Sequence, residues 1–139
     1  MERLKTRLMP FLMIMAMLAS SGRAVAAVVA IVNKANTSAD RNMIGKLYSL
    51  EAKAWSDGSR AILYELSVDS ERNEFCIAYT GKNADMIDSN LAKAVFVGRS
   101  KPHKIFKTDA DIMEVVAKEK DAVGYVNESS LNGSVRVVR

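Results

Sequence analysis

The sequence predicts an α/β fold in which a mostly parallel sheet is flanked by helices. Two observations lead to this prediction. Apolar runs rich in β-branched residues, such as residues 28–32, have the composition of strands that are buried on both faces. They alternate with segments whose apolar residues recur at helical spacing, and this alternation favours parallel strands joined by helices. From residue 27 onward the predicted order is β-α-β-α-α-α-β-β, with a last pair close enough in sequence to be antiparallel.

The first four elements are predicted as follows. Residues 28–32 form a strand, and a polar turn at residues 33–38 leads into a helix. The apolar face of this helix comprises Met43, Ile44, Leu47 and Tyr48. Residues 61–68 form the second strand, and the next helix begins with Asp69 or Ser70 as its N-cap. That helix ends at Gly81 and should bury three residues, namely Phe75, Cys76 and Tyr79.

The remaining elements follow from similar patterns. A helix is predicted at about residues 84–96, and residues 98–104 read as a polar loop that contains Pro102. Thr108 and Asp111 resemble a capping box at the start of a further helix. Residues 122–126 and 134–138 are the last two strands, separated by a turn.

The first 26 residues predict export. They comprise a basic start, an apolar stretch from Leu8 to Ala19, and the residues Ala24, Val25 and Ala26, which is the layout of a cleaved secretory signal peptide. The apolar stretch is shorter than the roughly 20 residues that cross a bilayer. An uncleaved membrane anchor is the alternative. The prediction is therefore a signal peptide at residues 1–26, one domain at residues 27–139, and a periplasmic location.

Charge and cysteine content argue against a nucleic-acid-binding protein and against a fold that an internal disulfide holds together. The chain has 20 basic and 16 acidic residues, but the first 26 residues hold four of the basic residues and one of the acidic ones. The remaining 16 and 15 leave a net charge of +1, which does not favour a nucleic-acid partner. Cys76 is the only cysteine, so no internal disulfide can form, and the residue is expected to be a buried apolar group.

No arrangement typical of an enzyme is present. His103 is the only histidine and is expected to be a solvated loop residue, because no nucleophile or acid is near it in the sequence. No nucleotide-binding, catalytic-serine or metal-ligand spacing occurs. Asp85 and Asp88 are three residues apart on one helix and are expected to be solvated. We therefore expect no enzyme activity, no cofactor and no metal.

Two loops are candidates for ligand binding. Ligands of open α/β sheets bind beyond the carboxyl ends of strands, where helix N-termini present free N–H groups to anions. The first loop is residues 33–38, and the second contains Ser67, Ser70 and Arg72, whose hydroxyl and guanidinium groups are hydrogen-bond donors. The alternative is that Asp69 and Ser70 only cap the helix, and the charges of Asp69 and Glu71 oppose an anion.

Several segments resemble the phosphate-binding proteins of ABC importers. Residues 30–36 (A-I-V-N-K-A-N) and 55–60 (W-S-D-G-S-R) resemble that family's I-V-N-K-x-N-P and W-x-D-G motifs. Residues 96–98 (F-V-G) with Pro102 resemble its F-x-G…P stretch, and residues 121–126 (D-A-V-G-Y-V) its G-A-I-G-Y-V motif. Residues 134–138 (S-V-R-V-V) resemble its closing V-K-V-L strand. The ordered set spans nearly all of the chain after residue 26.

The resemblance implies one lobe of a periplasmic solute-binding protein. Full members of the family enclose phosphate between two lobes and hold it through an S-G-T loop, where this chain has S-V-D-S-E-R at residues 67–72. The implied function is an exported solute-binding module with weak or lost affinity for phosphate or another small anion. The alternative is a non-catalytic module that uses the same fold to bind a periplasmic or envelope protein.

Overall fold

The computed structural model describes residues 27–139. The predicted signal peptide lies outside these residues. The strands are β1 (Val28–Val32), β2 (Ile62–Leu66), β3 (Lys104–Phe106), β4 (Ala122–Asn127) and β5 (Arg136–Val138). The helices are α1 (Arg41–Tyr48), α2 (Asp69–Thr80), α3 (Ala84–Phe96) and α4 (Asp109–Lys118). None of the helices within residues 27–139 is long and apolar enough to cross a membrane.

The five strands form one sheet in the order β3-β2-β4-β1-β5. β2 pairs in parallel with β3 and β4, whereas β1 pairs antiparallel with β4 and β5. Four strands therefore point the same way and only β1 is reversed, which confirms the predicted mostly parallel α/β sheet. The sequence suggested that the last two strands could form an antiparallel pair. They are not neighbours, because β1 lies between them and pairs with both.

The helices cover both faces of the sheet. Adjacent residues of a strand point to opposite faces, and two neighbours in β4 show this arrangement. A Cβ atom added at Gly124 would lie 2.7 Å from a side-chain atom of Ile112 in α4. Tyr125 points the other way and stacks on Phe75 of α2, with ring centroids 4.1 Å apart. The predicted burial of β1 on both faces is confirmed, since all five of its residues are buried.

Aromatic residues form the centre of the core on the α1 and α2 face. Phe75 stacks against both Tyr79 and Tyr125, and the edge of Tyr48 meets it at 4.8 Å. Each buried tyrosine needs a partner for its hydroxyl group. That of Tyr48 donates to the carbonyl of Tyr64 at 2.6 Å, and that of Tyr79 donates to the carbonyl of Val138 at 2.6 Å. Phe75, Cys76 and Tyr79 are all buried, as predicted.

One strand was missed by the sequence analysis. Residues 98–104 were expected to form a polar loop, but its last residue, Lys104, begins β3. β3 is only three residues long and lies at the edge of the sheet, so it has no buried face that would give an alternating pattern. Because Ile105 pairs with Glu65, β3 and the residues just before it lie beside β2. These residues form part of the site described below.

Candidate functional site

The C-terminal edge of the sheet brings together the start of α2 and the start of α4. β2 leads into α2 and β3 leads into α4, and these two strands are parallel neighbours. The backbone N–H of Ser67 donates to the carbonyl of Phe106 at 2.9 Å, so the strands remain paired up to the point where α2 begins. Ser67 and Ser70 are both exposed to solvent at this edge.

The N-terminus of α2 has no side-chain cap. The sequence predicted Asp69 or Ser70 as the N-cap, and this is wrong. Because Ser67 is still hydrogen-bonded to β3, the helix begins directly after the strand and the capping position falls on Val68, whose side chain accepts no hydrogen bond. The first N–H to bond within the helix is that of Arg72, to the carbonyl of Val68 at 3.0 Å. The preceding N–H groups lack intrahelical acceptors, which is the condition for anion binding at a helix N-terminus.

Acidic side chains oppose an anion at the same edge. The first turn of α2 contains Asp69 and Glu71, and that of α4 contains Asp109. One carboxylate oxygen of Glu71 is buried without a hydrogen-bond partner among the described residues. Burial, and then the charges of Asp109 and Glu74, raise the pKa of Glu71 above its usual range. Asp109 itself accepts hydrogen bonds from the backbone of Asn127 and the hydroxyl of Ser130.

Arg72, the cation predicted for the anion site, already binds two carboxylates. Its Nε atom donates to Glu65 at 2.9 Å, and its two terminal nitrogens donate to the two oxygens of Asp88. The hydrogen bonds to Asp88 and the charge and hydrogen bond of Glu65 outweigh burial and raise the pKa of Arg72 above its usual range. The structure therefore ties α2 to α3 and to β2 through Arg72, and it compensates the positive charge of this side chain internally. Asp88 is exposed, as expected, and it also pairs with Arg72.

His103 is not the solvated histidine that the sequence predicted. Its side chain is only 10% exposed, and its Nδ1 atom lies 2.8 Å from a carboxylate oxygen of Glu65. The reason is the parallel register, which places Lys104 opposite Tyr64 and so brings the preceding histidine to the middle of β2. Burial disfavours the charged form of Glu65. The hydrogen bond from His103 and the charge of Arg72 outweigh it and lower the pKa of Glu65 below its usual range.

The cluster of Glu65, Arg72, Asp88 and His103 was missed, although one signal was available. Glu65 lies in the strand sequence I-L-Y-E-L, and it is 2% exposed. A carboxylate at a buried strand position needs a cation and hydrogen-bond donors. The sequence alone does not say which cations these are, because Arg72 comes from the next helix and His103 from the segment before β3, 38 residues away.

The other predicted loop, residues 33–38, lies at the opposite edge of the sheet. β1 is reversed, so its last residue, Val32, pairs with Val123 near the start of β4. The loop is held by its own side chains. Asn33 donates to the carbonyls of Val116 and Ala117 at 3.0 Å, and the side-chain oxygen of Asn36 accepts from the backbone of Ser38 at 2.9 Å. The two predicted loops therefore cannot contribute to one site.

No cluster of three or more histidine, cysteine, aspartate and glutamate residues suited to a metal ion occurs within residues 27–139. The potential ligand groups of the C-terminal edge are thus the uncapped N–H groups of α2 and the hydroxyls of Ser67 and Ser70. Such groups donate hydrogen bonds to an anion.

The fold is shared with solved structures of phosphate-transport proteins. A Clostridium perfringens protein described as a phosphate ABC transporter substrate-binding protein, with bound phosphate, matches 82% of this chain and 44% of its own, with a TM-score of 0.61 and 17% identity. An ABC-type phosphate transport receptor from Vibrio cholerae matches 82% of this chain and 46% of its own, with a TM-score of 0.53 and 13% identity. A Planctomyces limnophilus protein described as phosphate-binding matches 82% and 41%, with a TM-score of 0.59 and 16% identity.

The sequence itself matches no protein-family model and no curated protein. The chain spans less than half the length of each of these three structures. At these identities the likeness concerns the fold, and it agrees with the resemblance seen in the sequence motifs. Residues 27–139 therefore share the α/β fold of part of these phosphate-transport proteins.

Proposed function

We propose that this protein is an exported, non-catalytic solute-binding module that binds phosphate or a similar small anion weakly. The observation that carries the proposal is the uncapped N-terminus of α2 at the C-terminal end of β2, in a fold shared with phosphate-transport proteins. The ligand groups are Ser67, Ser70 and the first N–H groups of the helix. Arg72 lies in the first turns of the same helix and contributes a positive charge that Glu65 and Asp88 reduce.

The affinity is expected to be low for electrostatic reasons. The partial positive charge at a helix N-terminus favours an anion by roughly 0.3–1 kcal/mol at an exposed site. Asp69 and Glu71 lie in the first turn of α2 and repel an anion. Ser67 and Ser70 are exposed, so water and salt screen each favourable contact. We therefore expect a dissociation constant in the millimolar range, which corresponds to about 4 kcal/mol.

Calorimetric titration of the purified protein with phosphate, and with sulfate as a control anion, tests the proposal. Glu71→Gln removes a negative charge beside the site and should strengthen phosphate binding about two- to fivefold, whereas Ser70→Ala should weaken it. Glu114→Gln is the matched control, because Glu114 is an exposed residue of α4 that pairs with Lys118, away from the site. Sub-micromolar binding, or binding that neither variant changes, would contradict the proposal.

A protein partner is the second candidate function, and exposed apolar residues favour it. Phe96 is 91% exposed at the end of α3, and Val97 and Ile105 are each 60% exposed. Large exposed apolar patches often mark protein interfaces. The partner would be a periplasmic or envelope protein. Anion titrations that show no binding, together with loss of a co-purifying protein on Phe96→Ser, would favour this candidate over the first.

A further inference from the structure

The N-terminal edge of β2 and β3 carries a groove that the proposed anion site does not use. The cavity has a volume of about 760 Å³ and lies between the ends of α1 and α3. Its floor is apolar and is made by Leu47, Leu50, Ala61, Ile62, Leu63, Ala94 and Val97. Ile62 and Val97 are 38% and 60% exposed, so part of this apolar surface faces solvent. Ser67 and Ser70 are absent from its walls, because they follow the opposite end of β2.

The charges around this groove have one sign. Five basic residues line it, namely Lys53, Arg60, Lys93, Arg99 and Lys101, and no aspartate or glutamate does. Residues 27–139 contain 16 basic and 15 acidic residues, so the rest of the segment is acidic on balance. None of the five forms an ion pair with another residue of the described segment.

Neutralisation of helix ends does not account for five cations. α1 ends at Tyr48 and α3 at Phe96, and a helix C-terminus carries about half a unit of negative charge. The two ends together offset about one positive charge. One lysine has a further internal role, since the Nζ atom of Lys53 donates to the carbonyl of Arg99 at 2.7 Å. Most of the positive charge at the rim therefore has no ion-pair partner within residues 27–139.

The size and the apolar floor define the ligand. Pockets for small organic molecules have volumes of about 300–1,000 Å³, and this groove lies within that range. A small inorganic anion alone would leave the floor of Leu50, Ile62 and Val97 in contact with water. A neutral apolar molecule would leave the cations at the rim unused. An elongated molecule with an apolar tail and an anionic head satisfies both requirements.

We infer that this groove binds an anionic amphiphile with a single apolar chain, such as an alkyl carboxylate. The chain lies along the apolar floor, and the head group accepts charge-assisted hydrogen bonds from the basic rim. The site is independent of the proposed phosphate site, because the two lie at opposite edges of the sheet. The two ligands should therefore bind without competition.

Calorimetric titration with decanoate below its micelle concentration tests the inference. One decanoate should bind per chain. Decanol lacks the charge and butyrate lacks the long chain, and both should bind at least about tenfold more weakly. Decanol loses the charge-assisted hydrogen bonds of the head group, and butyrate loses most of the buried apolar surface. Binding should also weaken as salt rises, because the rim is exposed and screened.

Two pairs of variants locate the site. Arg60→Gln combined with Lys93→Gln should weaken decanoate binding about tenfold, whereas Lys118→Gln combined with Lys120→Gln removes the same charge elsewhere and should leave it unchanged. Ala94→Asp places a carboxylate on the groove floor and should abolish binding. Ala92→Asp is its matched control, because Ala92 is an exposed residue of the same helix outside this groove.

Three results would overturn the inference. The first is equal binding of decanol and decanoate, which would show an apolar surface without anion selectivity. The second is binding of decanoate that the groove variants and their controls change equally. The third is sedimentation with phosphatidylglycerol vesicles without binding of monomeric decanoate, which would identify a membrane-contacting surface instead of a pocket for one molecule.

Discussion

The buried carboxylate of Glu65 is expected to contribute to stability in a pH-dependent way. It accepts a hydrogen bond from Arg72 at 2.9 Å, lies 2.8 Å from the Nδ1 atom of His103, and is 2% exposed. Glu65→Gln keeps the shape of the side chain and one acceptor oxygen but removes the charge. Breaking a buried ion pair costs roughly 3–5 kcal/mol. Arg72 retains Asp88 as a partner, so we expect the lower end of that range, about 3 kcal/mol at pH 7.

The sign of the pH dependence follows from the direction of the shift. The pKa of Glu65 is lowered in the folded protein, so the charged form contributes stability above the unfolded-state pKa of about 4.3. That contribution is lost as the pH falls through the lower pKa of the folded state. The difference in unfolding free energy between the wild type and Glu65→Gln should therefore shrink as the pH falls below about 4.3.

Urea unfolding followed by the fluorescence of Trp55 at several pH values measures this difference. Trp55 is buried, with an exposure of 2%, and should report the loss of the core. Glu114→Gln is the control, because Glu114 and Lys118 form an exposed pair that should contribute no more than about 0.5 kcal/mol. Equal stability of the wild type and Glu65→Gln at pH 7, or a difference that persists unchanged at pH 3, would refute the reasoning.

Three further predictions concern packing, burial and export. Gly45→Ala should destabilise the protein by about 3 kcal/mol or more in the same urea assay, because the new Cβ would lie 2.2 Å from the backbone oxygen of Tyr79. In Gly124→Ala the new Cβ meets the flexible side chain of Ile112, so this variant should be destabilised less. Cys76 should react slowly with iodoacetamide in the folded protein, since burial and the charge of Glu65 raise its pKa to about 11, and rapid labelling would contradict this. Intact mass of protein from a periplasmic extract should show cleavage after residue 26, and full-length chain in the membrane pellet would overturn that expectation.

Most of the fold could be predicted because its strands and helices have strong local patterns. β1 is a continuous apolar run, and α2 has a buried face of Phe75, Cys76 and Tyr79 followed by Gly81 in a left-handed conformation. The edge strand β3 could not be predicted from its three residues, because they show no alternating pattern of burial. Only their pairing with β2 makes this segment a strand. The pairing of β1 with both β4 and β5 was missed because strand neighbours are set by long-range contacts.

The sequence predicted where the segment of Ser67 and Ser70 lies in the fold, but not the hydrogen bonds and ion pairs around it. Ser67 and Ser70 do lie where β2 leads into α2, because the loop position follows from the order of elements. The partners of Arg72 could not be predicted, since Asp88 is one helix further along the chain and Glu65 is in the preceding strand. The N-cap was wrongly assigned because the local residue preference for Asp69 or Ser70 gave way to the pairing of Ser67 with β3.

Acidic residues lie in the helix turns beside the proposed phosphate site, whereas basic residues line the groove, and this difference affects how any anion titration should be interpreted. The C-terminal edge has Asp69, Glu71 and Asp109 in the first turns of α2 and α4, while five basic residues surround the groove at the N-terminal edge. An anion in solution is therefore attracted to the groove and repelled from the proposed phosphate site. Weak phosphate binding measured calorimetrically supports the solute-binding proposal only if Ser70→Ala reduces it and the combination of Arg60→Gln with Lys93→Gln does not. The reverse pattern would assign phosphate to the groove. The anion would then bind at the N-terminal edge of the sheet, opposite to the proposed phosphate site.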